Sequence, residues 1–213
     1  MQAVFLDKGT FSDGIDLPAP TGVSDYITYN DTPADTDTII ERCKDADIII
    51  TNKVKIGADV IAKLPKLKLI QLTATGMNNV DHDACDKHDV ALYNVAGYAV
   101  KSVPEHTFML MLTAMRAGIH YHQKVADGTW LANGNFCLLD IPLIDLEDKT
   151  LGIIGVGTIG KRVTEIARAF GMTVLWADHQ GQAPRNEDYT AFDDVLARAD
   201  VISLHCPLNE QTQ

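Results

Sequence analysis

The sequence has few of the features that would tie a protein to a membrane, a metal or a disulfide framework. Its four cysteines are scattered, with no CxxC pair and no other spacing typical of metal ligands. Cysteines of this kind indicate free thiols in a reducing cytoplasm, where we expect the protein to be located. No apolar run approaches the roughly 20 residues that a membrane span requires, so we expect no membrane association.

Positive charge is also scarce. Lysine and arginine number 18 against 29 aspartate and glutamate residues, and the formal net charge is −11. Most of such a surface would repel a phosphate backbone, which argues against nucleic acid as a partner. The first apolar run meets Asp7 after a few residues, which predicts a buried strand rather than a signal peptide.

Short apolar, β-branched runs alternate with longer amphipathic stretches along most of the chain. This alternation is typical of an α/β fold with parallel sheets. The first part of the sequence predicts a compact five-stranded unit, with strands at 3–6, 26–29, 47–51, 68–72 and 91–94 and helices at 34–45 and 57–64.

The pattern changes after Asn94, where a loop leads into a helix over 102–116. Ser102 and Glu105 have the spacing of a capping box, with Pro104 in the first turn. The following FMLMLTAM is apolar on nearly every face, which predicts burial on all sides, between domains or across a dimer interface. A second helix is expected to reach about Gly128, followed by an irregular connection over 131–148.

A second α/β unit begins with the strand 151–154, and further strands are expected at 173–177 and 201–205. The helix between the first two of these strands should cover 158–170 and end at Gly171, because glycine is favoured just beyond a helix C-terminus. Another helix should include 193–198.

The segment GVGTIG at 155–160 matches the pattern G-x-G-x-x-G, leaves a predicted strand and opens a predicted helix. Asp178 follows 18 residues beyond Gly160, at the end of the next strand. This spacing is that of the dinucleotide-binding fingerprint. The segment also fits the start of a triphosphate-binding loop, G-x-x-x-x-G-K, but Arg162 stands where that loop needs a hydroxyl. A structural turn or a turn that binds S-adenosylmethionine also stays open.

Each residue of the loop has a physical task in dinucleotide binding. Gly155 permits the tight turn, Gly157 lets the backbone approach the pyrophosphate, and Gly160 allows the helix to contact the strand closely. The N–H groups of Thr158 and Ile159 would meet the phosphates at the positive end of the helix dipole.

Asp178 would accept hydrogen bonds from the adenosine ribose hydroxyls and would repel the 2′-phosphate of NADP. The residues that follow it are His179 and Gln180 rather than arginine. We therefore expect the cofactor to be NAD.

Three blocks of the sequence resemble the D-2-hydroxyacid dehydrogenase family, and the resemblance extends across essentially the whole chain. They are TATGMNNVD at 73–81, NVAGYAVKSVPEHTFMLMLTAMR at 94–116, and LGIIGVGTIGKRV at 151–163 together with Asp178 and SLHCPL at 203–208. Within the family, TNK at 51–53 and the form ATG-x-NNVD resemble the glycerate dehydrogenases, also called hydroxypyruvate reductases.

The resemblance implies two parallel-sheet α/β domains with a cleft between them. These would be a flavodoxin-like substrate domain at 1–98 and a Rossmann-type NAD-binding domain at 99–213, of which only the N-terminal part is present. It also implies a homodimer formed through the helix 102–116, and a small 2-keto or 2-hydroxy acid as the substrate.

The resemblance also suggests roles for individual residues. The loop of Thr75 and Gly76 would meet the substrate carboxylate and the nicotinamide side of the cofactor, since its N–H groups suit an anion. Asn52 and Lys53 would face the far end of the substrate, and Cys206 would line the cofactor ribose. Lys53 as a solvated lysine and Cys206 as a small buried thiol remain open alternatives.

The catalytic arginine, glutamate and histidine of the family are implied to lie beyond Gln213. In the family the arginine binds the carboxylate, the histidine donates the proton and the glutamate keeps that histidine protonated. No convincing substitute is found in the sequence: His106 suits a helix cap, His120 and His122 do not share a helix face, and His205 ends a strand.

The expected topology is also that of an incomplete domain, because the chain provides the first half of a dinucleotide domain and one strand of the second half. We therefore expect a partial enzyme that is itself inactive. Four alternatives stay open: a phosphoglycerate dehydrogenase-like enzyme, for which Lys53 is the obvious phosphate partner; a formate dehydrogenase; a non-catalytic NAD-responsive protein resembling corepressors; and an interaction module that uses the apolar helix.

Overall fold

The computed structural model describes residues 1–209 and Thr212, and the chain divides into two compact units, Met1–Tyr98 and Ala99–Gln213. Each unit is built around a parallel sheet, as the alternating sequence pattern predicted. The functions assigned to the two units remain predictions.

The first unit contains all five predicted strands, with bounds that differ by at most one residue at each end. Every neighbouring pair is parallel, and the order β2-β1-β3-β4-β5 is that of flavodoxin-like folds. The strands are β1 (Gln2–Phe5), β2 (Asp25–Thr28), β3 (Ile48–Thr51), β4 (Leu69–Leu72) and β5 (Ala91–Tyr93).

The central strands of this sheet are buried on both faces. Along β1, Val4 packs into one apolar cluster and Phe5 into the other, because successive side chains point to opposite faces. All four residues of β3 are buried. This two-sided burial explains why these strands are continuously apolar rather than alternating with polar residues.

Helices α1 (Thr36–Cys43) and α2 (Ala58–Ile61) lie inside the predicted ranges. A third helix, α3 (His82–Lys87), was not predicted, because six residues are too few to show a helical period. Asp81 caps it by accepting a hydrogen bond from the N–H of Ala84 at 2.9 Å.

The second unit begins with three helices, and a four-stranded parallel sheet follows. The sheet order is β8-β7-β6-β9, which matches the first four strands of the Rossmann order. The two-residue strand β8 was not predicted. The elements are α4 (Ser102–Met115), α5 (Gly118–Ala126), α6 (Thr129–Ala132), β6 (Thr150–Ile154), α7 (Thr158–Ala169), β7 (Thr173–Ala177), β8 (Tyr189–Thr190), α8 (Phe192–Arg198) and β9 (Val201–Leu204).

Two expectations for α4 differ from the structure. The capping box at Ser102 is wrong: the N-cap residue is Lys101, and the N–H of Val103 bonds to the carbonyl of Ala99, so the helical turn starts upstream. Within the chain itself, α4 buries one face, with Phe108 and Met111, rather than all sides. No helix among the described residues is long and apolar enough to cross a bilayer.

The predicted end of α7 at Gly171 is confirmed. Gly171 has a φ of +75° and donates its N–H to Arg168, while Met172 donates to the carbonyl of Ala167. These two bonds form a Schellman motif, which needs a residue with positive φ at this position. The motif brings Met172 and Ala167 into the same apolar cluster.

Candidate functional site

The glycine loop joins the end of β6 to the start of α7. Gly155 has a φ of +97°, and a β-carbon there would overlap the backbone nitrogen of Cys206. The N–H of His205 donates to the carbonyl of Ile154 at 2.7 Å, which holds the chain after β9 against the loop. Glycine is therefore required at 155 both for its conformation and for its lack of a side chain.

The other two glycines differ from each other in what surrounds them. A β-carbon at Gly160 would overlap the carbonyl oxygen of Gly155, so this glycine allows the helix to pack closely on the turn. A β-carbon at Gly157, the N-cap of α7, would meet no atom within 4 Å. The loop thus leaves open space beside the one glycine that the fingerprint places next to the pyrophosphate.

The first turn of α7 suits an anion. Thr158 and Ile159 are its first two residues, and N–H groups in the first turn of a helix have no partner within the helix. They lie at the positive end of the helix dipole, and the N-cap Gly157 has no side chain that could cover them. These features fit the pyrophosphate of a dinucleotide.

A cavity of about 400 Å³ adjoins the loop within the second unit. Its walls combine apolar side chains, which suit a base, with a few polar groups, which suit a ribose. The lining includes Gly155, Val156, Asp178, Arg185, Tyr189, Phe192, Leu204, Cys206 and Pro207.

Asp178 lies at the end of β7, as predicted, and its carboxylate is buried against Arg185. Oδ1 accepts from Nη2 of Arg185 at 2.6 Å and from the N–H of His179 at 2.8 Å. Oδ2 accepts from the backbone N–H of Arg185 at 2.7 Å and from its Nε at 3.0 Å. Chiefly through the side-chain hydrogen bonds of Arg185, the pKa of Asp178 lies far below its usual 3.8.

Arg185 is the main residue of this site that the sequence did not reveal. It lies seven residues beyond Asp178, in the connection before β8. Its guanidinium also lies 4.4 Å from the centre of the Tyr189 ring. The sequence does show an arginine in the connection that follows Asp178. It does not show that this connection folds back so that Arg185 contacts Asp178.

Cys206 lies in the cavity wall, half-buried, beside a pair of polar side chains. Nε2 of His205 is 2.9 Å from Oγ of Ser203. Burial lowers the pKa of His205 below 6.5, so the imidazole is neutral near pH 7 and adds no fixed positive charge to the site.

A second group of predicted site residues lies in the first unit, at the carboxyl edge of its sheet. Asn52 and Lys53 follow β3, and their backbone N–H groups donate to the carboxylate of Asp7 at 2.8 Å and 2.6 Å. Asp7 is buried and follows β1, the neighbour of β3. The sheet reverses its strand order between these strands, and open α/β sheets place their ligands at such points.

The loop of Thr75 and Gly76 follows β4, next to β3 in the same sheet. Thr75 Oγ1 donates to the carbonyl of Val95 at 2.9 Å, and Asn94 Nδ2 donates to the carbonyl of Thr75 at 2.7 Å. Asn79 Nδ2 donates to Val54 at 3.0 Å and so connects this loop to the one carrying Asn52 and Lys53. The structure therefore places the four predicted substrate residues on two neighbouring, mutually bonded loops.

His120, one of the histidines considered as a substitute for the catalytic groups, and two arginines of the second unit have structural partners. His120 bonds to Asp140 at 2.8 Å, and Arg116 pairs with Asp145. Arg162 pairs with Glu165 along α7. Among the residues that the structure describes, no group of three or more His, Cys, Asp or Glu side chains could hold a metal ion.

A parallel sheet in Rossmann order, a glycine turn opening onto a bare helix N-terminus and a carboxylate at the end of the next strand define a dinucleotide-binding protein. Comparison with known proteins identifies the family. Residues 108–213 match the model of the D-isomer specific 2-hydroxyacid dehydrogenase NAD-binding domain.

Individual relatives agree with this match. The chain is 40% identical over 213 residues to a putative 2-hydroxyacid dehydrogenase of Haemophilus influenzae, covering all of this chain and 67% of that protein. It is 35% identical over 218 residues to a hydroxypyruvate reductase of Blautia hydrogenotrophica, covering all of this chain and 68% of the relative. The chain belongs to the D-2-hydroxyacid dehydrogenases, a family of NAD-dependent oxidoreductases.

A solved structure supports the fold. The acyclic imino acid reductase Bsp5, in complex with NADPH and D-Arg, superposes with a TM-score of 0.81 at 25% identity. The superposition covers all of this chain and 67% of that one. The chain thus spans about two thirds of the length of the proteins that it matches.

Proposed function

We propose that the protein transfers hydride between NADH and a small 2-keto acid, with hydroxypyruvate and glycerate as the substrate pair. The observation that carries the proposal is the pair of bonded loops at the carboxyl edge of the first unit, which presents Asn52, Lys53, Thr75 and Gly76 together. The hydroxypyruvate reductase to which the whole chain aligns supports the choice of substrate.

The two units would divide the work. In the second unit, Gly157 and the N–H groups of Thr158 and Ile159 hold the pyrophosphate, while Asp178 and Cys206 line the adenosine side. When bound, the dinucleotide supplies the hydride. These residues orient it, and the N–H groups at the start of α7 stabilise the charge of its pyrophosphate.

In the first unit, the exposed backbone at Thr75 and Gly76 would bind the substrate carboxylate. Asn52 and Lys53 would contact the hydroxyl end of the substrate, held in place by Asp7. No described residue is assigned as the proton donor.

The assay that tests this function is NADH oxidation with hydroxypyruvate, on a sample whose intact mass is determined in parallel. Glyoxylate and 3-phosphohydroxypyruvate are compared at equal concentrations, and we expect hydroxypyruvate to give the highest kcat/KM. A preference for the phosphorylated acid that Lys53→Met abolishes would favour a phosphoglycerate-type enzyme instead. A folded protein that binds NADH and turns over none of the three would contradict the proposal, whereas turnover by a 23.3 kDa chain would place the catalytic residues within it.

We also propose that the protein is a homodimer formed through α4. Met109 and Leu110 of this helix are 49% and 54% exposed in the single chain, and Ile119 and Val125 of α5 are exposed as well. Several exposed apolar side chains on neighbouring helices are typical of an interface. Sedimentation equilibrium should give twice the monomer mass for the native protein and the monomer mass for Leu110→Glu.

We propose a cytoplasmic location because the cysteines are free thiols, as expected in a reducing compartment. All four cysteines are free in the structure, and Cys43 and Cys85 are buried. Burial raises the pKa of Cys43 to about 12, so its thiol is unreactive at neutral pH. Fractionation of cells that produce the protein would test the location.

A further inference from the structure

The carboxylate that the fingerprint assigns to the cofactor ribose is not the group that the cavity presents. The side chain of Asp178 is 2% exposed, whereas that of Arg185 is 48% exposed. A carboxylate offers about four lone-pair positions, and Asp178 receives hydrogen bonds from two backbone N–H groups and from Nε and Nη2 of Arg185. Its acceptor capacity is used within the protein.

Arg185 is held in this position from several sides. Its own backbone N–H binds Asp178, and its guanidinium lies over the ring of Tyr189. Tyr189 in turn makes an edge contact with Trp176, whose Nε1 donates to Thr164 of α7 at 2.8 Å. The arginine is therefore tied to the helix that opens the glycine loop.

The guanidinium keeps free donors in the cavity. Of its five N–H groups, two are directed at Asp178 through Nε and Nη2, and the other three have no partner among the described residues. A planar guanidinium with free donors is the group that proteins prefer for binding phosphate. The pair with Asp178 also cancels the carboxylate charge that would repel such a phosphate.

The adenosine ribose of NADH, which lacks a 2′-phosphate, interacts less favourably with the pair of Asp178 and Arg185. Its 2′- and 3′-hydroxyls would have to compete with Arg185 for a carboxylate that already accepts hydrogen bonds from four N–H donors. The sequence-based argument that a 2′-phosphate is excluded assumed an unpaired Asp178 carboxylate and no neighbouring arginine, and neither condition holds in this structure.

We propose that Arg185 is a cofactor-specificity residue that lets this cavity accept a nucleotide bearing a 2′-phosphate, so that the protein binds NADPH as well as NADH. The proposal deepens the proposed function and depends on the same dinucleotide site. It adds a second cofactor to that site and leaves the substrate unchanged.

The test is isothermal titration of NADH, NADPH, ADP and 2′,5′-ADP into the protein and into Arg185→Gln. The native protein should bind NADPH within about tenfold of NADH. Arg185→Gln should bind NADPH and 2′,5′-ADP about tenfold or more weakly, since a hydrogen bond to a charged group has about this effect. Its affinity for NADH and ADP should stay the same or rise, because Asp178 is released.

Two further variants separate specificity from structure. Arg116→Gln removes an exposed arginine from an ion pair with Asp145 outside the cavity lining, and it should leave the NADPH to NADH affinity ratio unchanged. Arg185→Lys keeps a positive charge and should retain more NADPH affinity than Arg185→Gln.

The outcomes distinguish this proposal from the proposed function. A parallel loss of both dinucleotides in Arg185→Gln would mean that the arginine only orders its loop, and would overturn the specificity role. NADH binding without measurable NADPH binding by the native protein would also overturn it, with the dinucleotide site intact. Failure to bind either dinucleotide would refute the site itself.

Discussion

Gly155 and Cys206 are packed so closely that a β-carbon on the glycine would overlap the backbone nitrogen of the cysteine. The contact joins the turn after β6 to the chain that leaves β9, and these strands are parallel neighbours in the sheet. The shape of the glycine loop is thus set by a segment distant in sequence as well as by its own glycines.

Replacement of Gly155 by alanine should therefore damage the fold as well as the site. The residue would adopt a positive φ and displace the backbone at Cys206, and these two effects together should cost about 2–4 kcal/mol of unfolding free energy. Urea unfolding followed by circular dichroism would measure the loss. An unchanged midpoint for Gly155→Ala would show that the contact with Cys206 yields easily.

Gly157→Ala should give the opposite result at a position two residues away. Its β-carbon would meet no protein atom within 4 Å, so the unfolding free energy should change by less than about 1 kcal/mol. The same methyl group would occupy the space that we assign to the pyrophosphate, and NADH affinity should fall by at least about tenfold. Titration calorimetry on both glycine variants would check the contrast, and normal NADH binding by Gly157→Ala would locate the phosphates elsewhere.

The strand pattern, the glycine turn and the acid after β7 could all be predicted because each depends on local residue types and short spacings. The parallel-sheet α/β fold followed from the alternation of apolar runs and amphipathic stretches, whereas the strand orders were implied only by the family resemblance. Short elements escaped this reasoning: α3 has six residues and β8 has two, too few for a period to be visible.

The hydrogen-bond partners of the site residues could not be predicted either, and the reason is different from that for the short elements. Asp7 reaches Asn52 and Lys53 because β1 and β3 are neighbours in space, although they are far apart in sequence. Arg185 reaches Asp178 because the connection before β8 folds back. Such contacts depend on tertiary packing, which the spacing of single residues does not encode.

The acid sensitivity of the protein should depend on Asp178. Hydrogen bonds from Arg185 hold the pKa of this carboxyl below its usual 3.8 in the folded state. Its contribution to stability is therefore complete above about pH 3.8 and is lost as the pH falls below that value. Asp178→Asn should be less stable than the native protein at pH 7, and the difference should shrink toward pH 3. A difference that stays constant from pH 7 to pH 3 in urea unfolding would contradict this role.

Asp7 should be needed for the loop that carries Asn52 and Lys53. Asp7→Ala would leave two backbone N–H groups without their carboxylate acceptor, which should cost about 2 kcal/mol of unfolding free energy. In the proposed reaction it should also raise the KM for hydroxypyruvate more than it lowers kcat. Asp16→Ala, an exposed aspartate of the same unit, is the matched control and should change neither quantity.

Two threonines at neighbouring strand ends should respond in opposite directions to replacement by valine. Thr73 Oγ1 is buried and has no hydrogen-bond partner among the described residues, whereas Thr51 Oγ1 accepts the N–H of Val54 at 3.1 Å. Thr73→Val removes an unsatisfied buried hydroxyl and should raise the unfolding free energy by about 1 kcal/mol. Thr51→Val leaves the N–H of Val54 unsatisfied and should lower it by a similar amount.

The comparison is internally controlled because the two residues are in direct contact through their backbones. Thr73 donates its N–H to the carbonyl of Thr51 at 2.9 Å, a bond that both variants keep. The chemical change is the same in each case, so a difference in sign must come from the hydroxyl partners. If Thr73→Val lost stability and also weakened hydroxypyruvate binding, the unpaired hydroxyl would be assigned to the substrate site beside Thr75 and Gly76.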